Sequence, residues 1–141
     1  MFFGEYTYKV DEKGRAPLPP KFRRQMKEGV ILAKGLGEKC IAAYPVAEWK
    51  RLSDSLAAKA VTPANLRRLN RAIFGSAFGA SLDGQGRIIL PFSLREYAGI
   101  GDIAIVVGAN NCVELWSEGE WQAEKKSAEE QASEIIESFG A

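Results

Sequence analysis

The sequence predicts an α+β fold, a single pseudo-twofold β-core flanked by helices, and three observations carry that prediction. First, the stretch Val10-Asp11-Glu12-Lys13-Gly14-Arg15 returns as Leu82-Asp83-Gly84-Gln85-Gly86-Arg87, and 83 − 11 = 87 − 15 = 72. The same offset carries Leu18-Pro19 onto Leu90-Pro91, Arg23 onto Arg95, Cys40 onto Cys112 and Glu48-Trp49 onto Glu120-Trp121. A register kept this long marks a tandem duplication. Second, both copies read as strand, turn, strand, small helix, two strands and long helix. Third, a half of about 70 residues buries too little surface and leaves too many open strand edges to be comfortable alone. The halves, residues 1–75 and 76–141, are therefore expected to close each other's edges.

Phe2 to Val10 predicts the first strand, with Phe3, Tyr6, Tyr8 and Val10 around Thr7 and Lys9. Asp11 to Gly14 predicts a short turn, because Asp bonds its own backbone and Gly accepts φ > 0. Arg15 to Leu18 should return as the second arm of a hairpin, ended by Pro19-Pro20. Lys21 to Lys27 predicts one or two helical turns, closed by Gly29. Val30 to Ala33 and Cys40 to Tyr44 predict two further strands. Pro45 suits the first turn of a helix, and Trp49, Leu52 and Leu56 form its apolar stripe. Thr62-Pro63 is an N-cap and N1 pair for a second helix whose Leu66, Leu69 and Ile73 are expected to face inward.

The second copy repeats this order. A strand from about Ser76, the turn at Asp83 to Gly86 and the strand Arg87 to Leu90 lead to a short helix at Phe92 to Ala98. Strands at Ile103 to Val107 and Val113 to Trp116 follow. Ser117 and Glu120 have capping-box spacing. The helix after them keeps Trp121, Ala128, Ala132, Ile135 and Phe139 on one side, expected to pack around the core.

Composition narrows the function. The net charge of +1 conceals an asymmetry: residues 1–75 carry 15 basic against 7 acidic side chains, and residues 76–141 carry 4 against 11. Such a split suits a polyanion-facing half and an acidic half. No apolar run is long enough to span a bilayer, and Glu5, Lys9 and Asp11 stand too early for a signal peptide, so a cytoplasmic protein is expected. With no histidine and only Cys40 and Cys112, metal chemistry is not expected, and the cysteines read as buried thiols. No nucleophile, acid–base or phosphate-loop constellation is present, so no enzyme, small-molecule substrate or cofactor is expected.

The repeated turn is the candidate site. Lys9, Lys13, Arg15, Lys21, Arg23, Arg24 and Lys27 place seven cations within nineteen residues, against Asp11 and Glu12. Lys9, Lys13 and Arg15 are expected to share an edge of the first hairpin, a basic β-ribbon suited to phosphates or guanine edges in a major groove. Arg15 is the first candidate for base reading, with Arg87 its counterpart. Lys9, Lys13, Lys21 and Arg24 are candidates for phosphate contacts. Asp11 and Asp83 would orient the arginines, and Gly14 and Gly86 would shape the turns. In the simpler reading, each Asp–Arg pair only stiffens its own hairpin and contributes little. Because Gln85 stands where the first copy has Lys13, and no basic helix follows, the first copy should dominate affinity for DNA.

With these residues in place the chain resembles the MraZ family, bacterial regulators with two copies of an AbrB/SpoVT-like swapped-hairpin half-barrel. The resemblance rests on the duplicated Asp-x-x-Gly-Arg at 11–15 and 83–87, on Tyr44-Pro45 with Glu48-Trp49, and on Phe74-Gly75. Leu94-Arg95, Val107-Gly108 and Glu114-Leu115-Trp116 with Trp121 complete it. It implies two tandem AbrB/SpoVT-like half-barrels. It also implies a transcriptional regulator that binds double-stranded DNA at direct repeats in the promoter of the division and cell-wall gene cluster. A ring-shaped homo-oligomer associated with the nucleoid is implied as well. Ser76 departs from the pattern, since the family often has a histidine there. The competing class is an oligomeric interaction scaffold whose basic half binds an acidic partner.

Overall fold

The computed structural model of the chain describes residues 1–140, and Ala141, the last residue of the predicted second half, lies outside them. In chain order come β1 (Glu5–Lys9), β2 (Arg15–Pro17), α1 (Pro20–Arg23) with a 3-10 turn over Arg24–Met26, β3 (Val30–Lys34), β4 (Ile41–Pro45), α2 (Val46–Ala57) and α3 (Pro63–Ile73). The second copy supplies β5 (Phe78–Ala80), β6 (Arg87–Ile89), α4 (Phe92–Ala98), β7 (Ile103–Gly108), β8 (Val113–Trp116) and α5 (Glu118–Glu137). This is the predicted α+β order of two repeated units. The first strand starts later than expected because Gly4, at φ +101°, interrupts the ladder between the Phe2–Asn110 bridge and Glu5. Pro45 ends β4 in an extended conformation and caps α2, so the helix opens at Val46. Thr62 and Ser117 accept the backbone N–H groups of Asn65 and Glu120, as their spacing predicts.

The pairing of the strands differs from two separate hairpins. β1 and β2 leave one turn but enter different sheets: β1 pairs antiparallel with β7, and β2 with β6. The large sheet runs β1-β7-β8-β4-β3-β5, while β2 and β6 form a sheet of their own. Each copy therefore lends an arm to the other. The reason lies in the backbone and the core together. A closed β1–β2 hairpin would leave both arms with open edges. The exchange instead carries the Leu18 N–H to the Gly86 carbonyl at 3.0 Å and the Leu90 N–H to the Gly14 carbonyl at 2.8 Å. Those two bonds are related by the sequence offset itself. Ala16 and Ile88, opposite one another in the small sheet, are fully buried between the halves. With Leu18, Phe22, Met26, Leu32, Ile41, Leu94 and Leu115 they belong to one core drawn from both copies.

The symmetry is broken at the sheet edges. Tyr8 faces Ala104 at one edge, so the offset would place Ala80 opposite Leu32 at the other; Ala80 instead faces Val30. The second copy's arm is also two residues shorter and has Gly79 at its centre, an exposed position that adds no side chain to hold the strand.

The longer helices cover the core less than their patterns predict. None of α2, α3 and α5 buries a residue completely. In α2, Trp49 and Leu52 half-cover a cluster around Tyr44 and Cys112, with the Trp49 ring 5.3 Å from Tyr44 and 4.9 Å from Phe74. In α3, Leu66, Leu69 and Ile73 are only half-buried. Helix α5 is held by Trp121 against Trp116 and by Lys125 to Glu5 at 3.1 Å. From Ala128 to Gly140 every residue is exposed. A helix of 20 residues is about 30 Å long and outruns the short strand that precedes it. The stripe of Ala128, Ala132, Ile135 and Phe139 therefore projects beyond the sheet.

Cys40 and Cys112 are both buried and unbonded. Burial pushes the Cys112 thiol up to about 12. Burial, with Glu114 and Glu38 nearby, raises Cys40 still further. Glu38, Cys40 and Glu114 bring ligand atoms within 4.8 Å of one another. Glu114 accepts from Trp116 Nε1 at 3.1 Å. Burial nevertheless raises its carboxyl above the ordinary 4.5, with Glu38 and Glu124 adding repulsion. A raised carboxylic pKa means that the fold favours the protonated form. Its cost is absent below the ordinary value and grows as pH rises through the folded one. Glu114→Gln, which keeps the acceptor and removes the charge, should melt above wild type at pH 7. That advantage should vanish below pH 4.5, and an unchanged or lowered midpoint at pH 7 would contradict it.

Candidate nucleic-acid interface

The two Asp-x-x-Gly-Arg turns are built alike. In the first, Asp11 Oδ1 accepts the backbone N–H groups of Lys13 and Arg15, both at 2.9 Å. Asp11 Oδ2 accepts from Arg15 Nε at 2.6 Å. In the second, Asp83 Oδ1 accepts from the N–H groups of Gln85 at 2.9 Å and Arg87 at 3.0 Å, and Oδ2 from Arg87 Nε at 2.9 Å. The glycines complete each loop in the left-handed region, Gly14 at φ +77° and Gly86 at φ +74°, where a Cβ is costly. These donors hold both carboxyls below their ordinary value of 3.8, the backbone N–H of Arg15 or Arg87 contributing most. A depressed pKa gives the turns support that is complete above the ordinary value and lost as pH falls through the folded one.

The exchange of arms brings the two turns to one place. Arg87 Nη1 lies 3.8 Å from Asp11 Oδ2, an ion pair from one copy to the other. Along β2 and β6 the pairs are Arg15 with Ile89, Ala16 with Ile88, and Pro17 with Arg87. Strand alternation sends Ala16 and Ile88 inward and the other four outward. The outer face of this small sheet thus carries one arginine from each copy, with side chains 27% and 25% exposed. Each guanidinium is fixed through Nε by an aspartate behind it. Among the described residues, the terminal nitrogens of neither arginine donate a hydrogen bond.

The predicted site residues divide on this framework. Arg15, Arg87, Asp11, Asp83, Gly14 and Gly86 come together across the pseudo-twofold axis. Lys13 stands exposed at the tip of the first turn, with Gln85 at the tip of the second. Lys9 does not share an edge with Arg15, because it ends β1 in the large sheet, opposite Ile103. The ribbon is made by β2 and β6, one strand from each copy. Lys21 is turned over the rings of Phe3 and Tyr6, its Nζ 4.6 Å and 5.3 Å from their centroids. Arg24 is exposed in the 3-10 turn that follows α1.

Sequence reasoning assigned no role to Arg95 and left Arg23 among the cations. Arg23 Nε donates to the Leu18 carbonyl at 3.1 Å, and its guanidinium occupies the space beside Gly86. A Cβ on Gly86 would meet Arg23 Nε at 2.1 Å, and one on Gly14 would meet Arg95 Nη1 at 3.2 Å. Each copy's helix arginine thus braces the other copy's turn. The equivalence of Arg23 and Arg95 was the available signal. Gly86→Ala should cost about 1–2 kcal/mol in backbone strain and about 1 kcal/mol for the displaced Arg23 bond. Gly14→Ala should cost only the strain. Equal chemical denaturation midpoints for the two variants would contradict the brace.

Comparison with known proteins adds an independent line. The sequence model of the family described as "MraZ protein, putative antitoxin-like" matches the chain twice, over residues 1–72 and 73–138. A protein of Dehalococcoides mccartyi named "Transcriptional regulator MraZ" is 56% identical over 139 residues, 99% of this chain and 98% of that one. Proteins of the same name from Frankia alni and Herpetosiphon aurantiacus are 43% and 39% identical, over 97% and 100% of this chain and 95% and 98% of theirs.

Proposed function

This chain belongs to the MraZ family, and on that premise we propose that it is a sequence-specific DNA-binding transcriptional regulator. The observation that carries the proposal is the pair Arg15 and Arg87, brought onto one exposed ribbon from two copies. Each is held through Nε by its own turn's aspartate, and although Arg87 Nη1 also lies 3.8 Å from Asp11 Oδ2, the terminal nitrogens of neither donate a hydrogen bond among the described residues. A planar fork oriented this way suits bidentate donation to guanine O6 and N7, and a two-stranded ribbon fits a major groove. Asp11 and Asp83 are the orienting groups and Gly14 and Gly86 the turn formers. Lys13 is the phosphate contact nearest the ribbon, with Lys9, Lys21 and Arg24 reaching the backbone further out. No helix among the described residues is long and apolar enough to cross a membrane, and the reading places the protein on DNA in the cytoplasm, associated with the nucleoid.

The finer reading is that the target is a set of direct repeats in the promoter of the division and cell-wall gene cluster, bound by a ring-shaped homo-oligomer. One ribbon supplies few contacts, whereas adjacent protomers on successive repeats can raise avidity about 10² to 10⁴-fold. A head-to-tail contact that closes yields a ring. The basic first half of one subunit beside the acidic second half of the next suits such a contact. An assembly whose mass by light scattering is unchanged at 1 M salt would refute that electrostatic origin.

Lys13→Ala should weaken binding to all sequences alike and flatten the slope of log affinity against log salt by about one. Loss confined to one sequence would make Lys13 a base reader instead. Nuclease footprinting of the promoter upstream of the chain's own gene tests the proposal itself. Protection of regularly spaced repeats is expected. A promoter left uniformly cut at saturating protein would refute the reading and favour the interaction scaffold.

A further inference from the structure

We infer that Ile89 reads the 5-methyl group of a thymine next to the base pair taken by Arg15; the inference rests on the DNA-reading role proposed above. The outer face of the β2–β6 ribbon has four members, and three fit a polyanion without strain: two oriented arginines and a compact proline. Ile89 does not. It is 61% exposed, it follows the fully buried Ile88, and it lies directly opposite Arg15. Strand alternation requires that it face outward but not that it be apolar. An aliphatic side chain contributes nothing to phosphate binding, and once the ribbon docks it is enclosed with the arginines.

The major groove offers such a side chain one matching surface. Among the base-pair edges there, the donors and acceptors are polar and the thymine methyl alone is apolar. The spacing also fits, since residues opposite one another in an antiparallel pair are about 4.5–5.5 Å apart at Cα, and successive bases rise about 3.4 Å. Ile89 therefore falls within one or two base steps of Arg15.

The equivalent residue in the first copy is Pro17, since 89 − 72 = 17, and it lies opposite Arg87. Pro17 is half-buried and has no branched methyl groups to present. Arg15 with Ile89 is thus unlike Arg87 with Pro17. This gives a pseudo-symmetric ribbon a direction, which a symmetric reader of palindromes would lack and a reader of direct repeats needs.

The test is anisotropy with the labelled promoter duplex, in which each thymine of the protected repeat is replaced in turn by uracil, which pairs alike and lacks only the methyl. At one position, wild type should lose about four-fold in affinity per repeat, the equivalent of one buried methyl group. Ile89→Ala should lose a similar amount on the thymine duplex and nothing more on the uracil duplex. Its exposed position should leave melting unchanged, which thermal denaturation checks. Indifference of wild type to every uracil, with Arg15→Ala still abolishing selectivity, would overturn the Ile89 contact and leave the DNA-reading role standing. Equal loss by Ile89→Ala on thymine and uracil duplexes would also overturn it. Failure of both Arg15→Ala and the uracils to matter would remove the DNA-reading role and this inference with it.

Discussion

Ile88→Ala should lower the stability of the protein by about 2–5 kcal/mol, in the upper part of the range for a large-to-small core change. Three facts set that magnitude. Ile88 is fully buried, it sits in the strand that joins the two copies, and its partner across the ladder is Ala16. An alanine facing an alanine cannot fill the space left behind, and the braced turns on either side restrict collapse. Against a total stability of about 5–15 kcal/mol for an ordinary domain, this is a large fraction of the whole. Because both copies meet at this point, the two halves should unfold together. Thermal denaturation followed by far-ultraviolet circular dichroism checks both statements. A small shift, or a split transition, would mean that the halves do not share the core described above.

Arg15→Ala should have the largest effect on function with little effect on fold. Loss of one bidentate base contact costs about 1–3 kcal/mol of specific binding, or about 5- to 150-fold in affinity, and relaxes the preference at that position. The variant should melt close to wild type, because the Asp11–Arg15 pair is open to solvent and screened. Asp11 remains bonded to the backbone N–H of Lys13 and of residue 15, so the turn itself persists. Arg87→Ala should weaken binding too, but less, since the second turn carries Gln85 at its tip. A collapse in melting temperature with Arg15→Ala would assign the pair a purely structural role.

Much of this was legible in the sequence because the duplication converts one motif into a statement about three dimensions. The offset of 72 identifies the equivalent turns, the shared core and the equivalent cysteines before any coordinate is known. The elements themselves follow from local signals: Thr62-Pro63, Ser117 with Glu120, and the Asp-Gly turns each name their own structure. Strand pairing was not legible to the same extent, because the alternation along Phe3 to Val10 does not say which partner completes the edge. β1 with β2 and β1 with β7 satisfy the same local pattern, and only the burial of Ala16 against Ile88 decides between them. This is why Lys9 was expected beside Arg15 and lies in another sheet. The helical stripes misled for a related reason. Periodicity shows that Leu66 and Leu69, or Ile135 and Phe139, share a face, but not that anything within the chain is there to meet it. Charge alone singles out Lys21, but its place above Phe3 and Tyr6 depends on how α1 folds back over β1, which no local pattern shows.

In the function proposed above, two turns, one from each copy, form a single face that selects DNA sequence. Fluorescence anisotropy of the promoter duplex against a scrambled duplex, at two salt concentrations, tests it with wild type and Arg15→Ala. Wild type should prefer the promoter at both salts, while Arg15→Ala keeps the salt-dependent, sequence-blind binding and loses the preference. An Arg15→Ala variant as selective as wild type, or a wild type with no preference, would contradict the claim.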